Sequence, residues 1–114
     1  KARANHVALI IGAPLGAGYL AGTDRWLYGG DVPAGFADKR ARMDKIARKH
    51  GTDLRTAALQ FTTAPDIVAA TIPGARNAEQ ARANHASMTQ AIPAAFWQEM
   101  KQQGLIAEDA PTPG

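Results

Sequence analysis

The stretch IVAATIPGARN at residues 67–77 holds the local signals that decide how this chain folds. Its first part, Ile67–Ile72, is a short apolar run without polar alternation, which is typical of a strand buried on both faces of a parallel sheet. A turn follows at Gly74-Ala75-Arg76. Asn77 then predicts a helix N-cap, and Gln80 three residues later completes a capping box. The stretch therefore predicts a strand, a tight turn and a helix in direct succession.

A second apolar run, Val7–Ile11, predicts another buried strand earlier in the chain. Two helices are expected between the strands. Pro33 opens the first in its favoured first-turn position, and Gly51 stops it. Thr52 caps the second, with Asp53 in its first turn. The residues expected on the buried faces of these helices are Phe36, Met43, Ile46, Ala47, His50, Leu54, Ala57, Ala58 and Phe61.

Two more helices are predicted after the second strand. One runs from about Ala78 to Met88, and the other opens at Pro93 and ends at Gly104. Leu105-Ile106 is expected to pack back on the last helix, and residues 107–114 form a tail. Because helices separate the two strands, the strands are expected to pair in parallel through a crossover.

Two parallel strands do not form a sheet that stands alone, because their edges expose unpaired backbone groups and apolar side chains. We therefore expect this chain either to be part of something larger or to complete its sheet with another copy of itself.

Composition excludes several classes of protein. The 114 residues suffice for one domain, and the absence of cysteine rules out disulfides and zinc–thiolate sites. The 13 basic and 10 acidic residues are interspersed and leave a net charge of +3, so no nucleic-acid partner is expected. Aromatic residues make up only 6% of the chain, so Ala, Leu and Ile are expected to fill the core.

Membrane and metal roles are also not expected. The uncharged run Val7–Gly22 is shorter than the roughly 20 residues that span a bilayer. Its apolar part, Val7–Ile11, is too brief for the hydrophobic region of a signal peptide, and we expect a cytoplasmic protein. His6 and His85 have no neighbouring residues with metal-ligand spacing, so no metal site is predicted.

The same segments resemble the aldo-keto reductase family. Residues 69–80, followed by Asn84, resemble the last strand and the cofactor turn of that family. Residues 57–61 resemble the helix before that strand, and residues 10–20 resemble the seventh strand and its loop. The ending at residues 92–111 is similar to the bacterial branch that includes D-threo-aldose (L-fucose) and pyridoxal dehydrogenases.

The resemblance implies an α/β fold, the TIM (β/α)8 barrel, with residues 1–114 as its C-terminal, cofactor-binding quarter. The last two strands and their helices would lie here, and the remainder of the barrel would be the partner. The implied function is an NAD(P)-dependent oxidoreductase acting on a small carbonyl compound or sugar. The family's catalytic Asp, Tyr, Lys and His lie on earlier strands, so no catalytic residue is assigned and the segment alone is expected to be inactive.

The cofactor turn is the first candidate site. Free N–H groups at the start of a helix favour an anion, and Arg76 offers two parallel donors to a phosphate. By resemblance, Gly74, Ala75 and Arg76 bind the 2′-phosphate end of NADP, or the matching end of NAD. Gln80 and Asn84 lie four residues apart on one helix face, and their amides are expected to meet the adenine.

The loop after the first strand is the second candidate site. Small residues such as Gly16 and Gly18 let backbone approach a pyrophosphate closely, and by resemblance Leu15, Gly16 and Gly18 bind it. Trp26 and Tyr28, further along this loop, either line the substrate pocket or anchor the loop. The spacing of Gly16, Gly18 and Gly22 does not match the dinucleotide fingerprint.

Two alternatives remain open at the level of the sequence. One is a truncated module that binds an adenine nucleotide or a protein without catalysis. The other is a remnant of a longer enzyme with no activity.

Overall fold

The computed structural model describes all residues, 1–114, as four helices beside a two-stranded sheet. The strands are β1 (Leu9–Gly12) and β2 (Val68–Ile72). The helices are α1 (Phe36–Lys49), α2 (Leu54–Thr63), α3 (Ala78–Thr89) and α4 (Ala94–Gln102). No helix is long and apolar enough to cross a membrane.

The two strands are adjacent and parallel, which confirms the predicted pairing. The register matches Leu9 with Val68 and Gly12 with Ile72, with an irregularity after Leu9. Helix α2 packs against β2, and the hydroxyl groups of Thr62 on α2 and Thr71 on β2 are hydrogen-bonded at 3.1 Å. The carboxyl ends of both strands consequently lie at the same edge of the sheet.

The prediction that both strands are buried on both faces is wrong for these residues. Side chains alternate between the two faces of a sheet, and here only one face is well covered. Leu9 and Ile11 are half-buried, whereas Ile10 is 66% exposed and Ile72 is 60% exposed. The sheet therefore presents an apolar face that no helix of this chain covers.

The hydrophobic core lies among α1, α2 and α4 rather than on the sheet. Aromatic rings contribute more of it than the composition indicated. Phe96 and Trp97 are both buried and meet edge to face with ring centroids 4.7 Å apart. Phe61 stacks on Trp97 at 6.0 Å. The remaining core residues are Ile46, Ala47, Ala57, Met100 and Leu105, so Ala, Leu and Ile alone do not fill this core.

Two predicted helix starts are displaced. Helix α1 begins at Phe36 rather than at Pro33, because Pro33–Phe36 forms a separate turn (Phe36 N–H to the Pro33 carbonyl, 3.2 Å). Gly35 then takes a left-handed conformation (φ 84°) between that turn and the helix. Helix α2 is capped by Asp53, whose carboxylate accepts from the Thr56 N–H at 2.8 Å. Thr52 lies one residue ahead of this N-cap position, and its N–H instead donates to the Ala47 carbonyl at the end of α1.

The predicted helix ends are confirmed. After α1, the Gly51 N–H donates to Arg48 and the Thr52 N–H donates to Ala47. These two bonds form the hydrogen-bond pattern of a Schellman motif. The same pattern ends α4 at Gly104, and it places Leu105 in the core, 3% exposed.

Charged side chains join α1 to α4 at the rim of this core. The Glu99 carboxylate accepts from Lys49 Nζ at 2.9 Å, and the His50 ring lies 2.6 Å from its other oxygen. The hydrogen bond from His50, and then that from Lys49, lower the pKa of Glu99 below its usual value. A lowered folded-state pKa stabilises the fold above the ordinary pKa of the carboxyl group, and that stabilisation is lost as the pH falls.

We predict that Glu99→Gln lowers the melting temperature at neutral pH, and that this difference from the parent chain shrinks as the pH falls below about 4.3. Thermal unfolding followed by circular dichroism over a pH series measures it. Glu108→Gln is the matched control, because Glu108 is exposed and has no charged partner. A difference between Glu99→Gln and the parent that stays constant down to pH 3 would contradict the assignment.

Candidate functional site

Two loops leave the carboxyl edge of the sheet side by side. One follows Gly12 and the other follows Ile72, and these two residues are partners in the strand register. Both predicted binding segments, the turn Gly74–Arg76 and the loop Leu15–Gly18, therefore start at the same edge. The parallel pairing brings together the two sites that lie about sixty positions apart in the sequence.

The turn after β2 is held by reciprocal hydrogen bonds at the start of α3. The Asn77 side chain accepts from the Gln80 N–H at 2.8 Å, as predicted for an N-cap. Gln80 reaches back with Oε1 and accepts from the Arg76 N–H, also at 2.8 Å. The capping box therefore closes one residue earlier than its usual form, which would use the Asn77 N–H.

Donor groups around this turn remain free. The backbone N–H groups of Gly74, Ala75 and Asn77 have no acceptor within the chain, whereas that of Arg76 is taken by Gln80. The Arg76 side chain is exposed and makes no hydrogen bond or ion pair. Unpaired N–H groups beside a free guanidinium at a helix start make a favourable place for an anion.

The two amides predicted to meet adenine have different surroundings. Gln80 is exposed, and its Nε2 remains free. Asn84 is 7% exposed and turned into the protein. Its Nδ2 donates to the Gly74 carbonyl at 3.2 Å, and its Oδ1 accepts from the Arg55 side chain. Each amide atom keeps further hydrogen-bonding capacity, so the predicted adenine contact of Asn84 is limited by the burial of its side chain.

Arg55 is a residue that the sequence analysis missed. It lies in the first turn of α2, and its Nη2 also reaches the Gln80 carbonyl at 3.4 Å. A cation is unfavourable in the first turn of a helix because the helix dipole is positive there. That misplaced charge is the one sequence signal that could have drawn attention to Arg55.

Buried polar groups fix α3 against α2. The Thr56 hydroxyl donates to the Asp53 carboxylate at 2.9 Å and is hydrogen-bonded to the Ser87 hydroxyl at 3.0 Å, where Ser87 is the donor. Gln60 Nε2 donates to the carbonyl groups of Ser87 and Gln90 at 2.7 and 2.6 Å. Because Thr56, Gln60 and Ser87 are buried, losing one partner would leave the other unsatisfied, which is costly. These bonds hold the C-terminal end of α3 (Ala78–Thr89) against α2, whereas its start is held by Arg55.

The loop after β1 is compact. The N–H groups of Gly16 and Gly18 are used in turns within the loop, whereas those of Leu15 and Ala17 have no acceptor in the chain. Gly18 has a left-handed backbone (φ 98°), and a Cβ there would lie 2.7 Å from Thr23 Oγ1. Only glycine fits at position 18, and the segment Leu15–Gly18 offers two free backbone donors.

The structure separates the two aromatic residues of this loop. Trp26 packs edge to face between Tyr19 and Phe36, with centroid distances of 5.2 and 5.3 Å. Arg40 on α1 donates to the carbonyl groups of Tyr19 and Thr23 and covers the Tyr19 ring at 4.2 Å. Trp26 is thus in the position of an anchor that holds the loop on α1.

Tyr28, in contrast, is 97% exposed and has no aromatic partner. Of the two aromatic residues, it is the one free to contact a ligand.

Carboxyl groups with a shifted pKa lie outside this edge. Arg3 donates to Asp66 at 2.6 Å, ahead of β2, and this bond lowers the pKa of the Asp66 carboxyl group. Glu99 lies on α4, at the rim of the core. No cluster of three or more His, Cys, Asp or Glu residues is arranged to hold a metal ion.

Comparison with known proteins identifies the relatives of this chain. The Aldo/keto reductase family matches it over residues 1–104. Pyridoxal 4-dehydrogenase from Microbacterium luteolum is 31% identical to it over 105 residues. The aligned region covers 89% of this chain and 30% of the length of that enzyme. With nearly all of its residues matched, this chain belongs to the aldo/keto reductase family.

Proposed function

We propose that this chain supplies the cofactor-binding part of an NAD(P)-dependent oxidoreductase built as a (β/α)8 barrel. The observation that carries the proposal is the turn at Gly74–Asn77, where three free N–H groups surround an unpaired Arg76. Membership of the aldo/keto reductase family supports a nicotinamide nucleotide as the anion. In the barrel, β1 and β2 would be the last two strands.

The turn fits the adenosine end of the nucleotide. A phosphate group would accept from the N–H groups of Gly74 and Ala75, while Arg76 would present two parallel donors. Gln80 Nε2 would donate to the adenine edge. No second cation lies in the turn, since Gly74 and Ala75 carry no charge, so Arg76 would hold most of the interaction with a 2′-phosphate.

The loop after β1 fits the pyrophosphate. The free N–H groups of Leu15 and Ala17 would donate to phosphate oxygens, and Gly16 and Gly18 leave room for backbone to approach. The loop is held to α1 by Arg40 and Trp26, so its donors are already positioned before a ligand arrives. Binding then costs less ordering of the loop.

The substrate is proposed to be a small aldehyde or alcohol, such as a sugar lactol or a pyridoxal-like compound. The bound nicotinamide would supply or accept the hydride. Within this chain, Tyr28 would contact the substrate from its exposed position, with Trp26 supporting the loop. No residue of this chain is proposed to transfer the proton.

The exposed sheet face gives the proposal a structural partner. Ile10 and Ile72 are more than half exposed on this face, and Val7 is 51% exposed nearby. We propose that the other strands of the barrel cover them. The alternative is that a second copy of this chain covers the face. The oligomeric state of the chain in solution distinguishes this alternative from the rest of a barrel.

A second candidate function is a module that binds an adenine nucleotide without catalysis. The same turn supports it, because nucleotide binding requires only the donors described above. Hydride transfer measured with any nucleotide and aldehyde would exclude it.

We predict that Arg76→Ala weakens NADPH binding by about ten- to hundredfold, the loss of one hydrogen-bonded charge contact. NADH affinity should fall much less because NADH lacks the 2′-phosphate. Gln80→Ala should weaken both cofactors alike, since adenine is common to them. Quenching of tryptophan fluorescence during titration measures each affinity.

Arg82→Ala is the matched control for Arg76→Ala. Arg82 is exposed on α3 and makes no hydrogen bond or ion pair, so its loss should change neither affinity by more than about twofold. Equal losses of NADPH and NADH affinity in Arg76→Ala would contradict the assignment of the 2′-phosphate to this turn.

We also predict that the purified 114-residue chain binds nucleotide but does not reduce aldehydes. General acid–base catalysis contributes about 10²–10⁴-fold, and no residue of this chain is assigned to that role. A turnover assay with NADPH, NADH and small aldehydes measures it. Robust reduction of aldehydes by this chain alone would contradict the proposal that it binds the cofactor but does not transfer the proton.

A further inference from the structure

The Arg55 side chain is linked to the candidate phosphate turn through one buried amide. Arg55 Nη2 donates to Asn84 Oδ1, and Asn84 Nδ2 donates to the Gly74 carbonyl at 3.2 Å. The three residues belong to α2, α3 and the turn after β2. This hydrogen-bonded chain, here called the Arg55 relay, spans the space between the two helices and the turn.

We infer that Arg55 is a positioning residue that fixes the direction of the Ala75 N–H through Asn84. The inference rests on the proposed phosphate site at Gly74–Arg76, and it identifies what holds that site open for its ligand.

The two partners of the Asn84 amide fix its orientation. A guanidinium has donors only, so Asn84 must present its oxygen to Arg55. The nitrogen of the same amide then faces the Gly74 carbonyl, which can only accept. If Asn84 turned over, two donors would meet at Arg55 and two acceptors would meet at Gly74. Arg55 thereby stabilises the same amide orientation that the Gly74 carbonyl requires.

The Asn84 amide in turn orients the peptide plane between Gly74 and Ala75. A trans peptide is planar, and its C=O and N–H point in opposite directions. Because Asn84 holds the Gly74 carbonyl towards α3, the Ala75 N–H is directed away from α3. That N–H has no acceptor within the chain, and Ala75 is exposed. The relay therefore aims a free donor at the place proposed for the phosphate.

Arg55 lies at an electrostatically unfavourable position in its own helix. In the first turn of α2 its charge opposes the helix dipole, and no carboxylate pairs with it. Both acceptors of its guanidinium, the Asn84 side chain and the Gln80 carbonyl, lie on α3. The hydrogen bonds of the Arg55 side chain are thus made to α3, and through Asn84 they reach the turn.

The test compares Arg55→Met with Arg82→Met, which removes the same charge from an exposed position on α3 that makes no contact with the relay. Adenosine 2′,5′-bisphosphate and 5′-AMP are titrated into each purified protein by calorimetry. We expect Arg55→Met to weaken the bisphosphate roughly two- to tenfold, as for one hydrogen bond, with 5′-AMP changed less than about twofold. Arg55→Lys, which keeps a donor and charge, should recover part of the loss.

Nuclear magnetic resonance gives a second measurement that does not depend on a ligand. In Arg55→Met the signals of the Asn84 side-chain NH2 and the Ala75 amide should shift, while Arg82→Met should leave both in place. Unshifted signals in folded Arg55→Met would overturn the inference, as would equal losses for both nucleotides. Failure of the parent chain to bind either nucleotide would instead overturn the proposed function.

Discussion

The parallel pairing of β1 with β2 is the constraint on which the candidate site depends. Gly12 and Ile72 are partners in the register, so the loop after one strand and the turn after the other start from the same edge. An antiparallel pair would send them to opposite ends of the sheet. The hydrogen bond between Thr62 and Thr71 ties this sheet to α2, and α2 in turn carries the contacts that place α3.

Two kinds of packing divide the molecule. The aromatic core around Phe96 and Trp97 joins α1, α2 and α4, and it lies away from the sheet. Helix α3 is held instead by hydrogen bonds of Thr56 and Gln60 with Ser87 and its neighbours. The hydrophobic effect is non-directional, whereas hydrogen bonds have preferred angles and distances. Helix α3, which follows the turn, is therefore attached by hydrogen bonds, the more directional of these two interactions.

Local signals in the sequence predicted much of the fold. Short apolar runs located both strands, and Asn77 and Gly51 correctly marked a helix start and a helix end. Errors arose where two signals competed: the Thr52 N–H donates at the end of α1, and Asp53 caps α2. The inward orientation of Asn84 could not be predicted, because it depends on a guanidinium 29 positions away. No catalytic residue could be assigned from the sequence either, since no motif in this chain supplies proton transfer.

The electrostatics of the turn explain why an anion should settle there. The start of α3 already carries the positive end of a helix dipole, and Arg55 and Arg76 bring two further positive charges close to it. Glu79 is the one acidic residue in the first turn of α3, so positive charge is in excess. An anionic phosphate would neutralise part of this positive charge, and it would accept hydrogen bonds from the free N–H groups of the turn. The positive charges of Arg55 and Arg76 thus repel the helix dipole in the free protein and would attract the phosphate in the bound state.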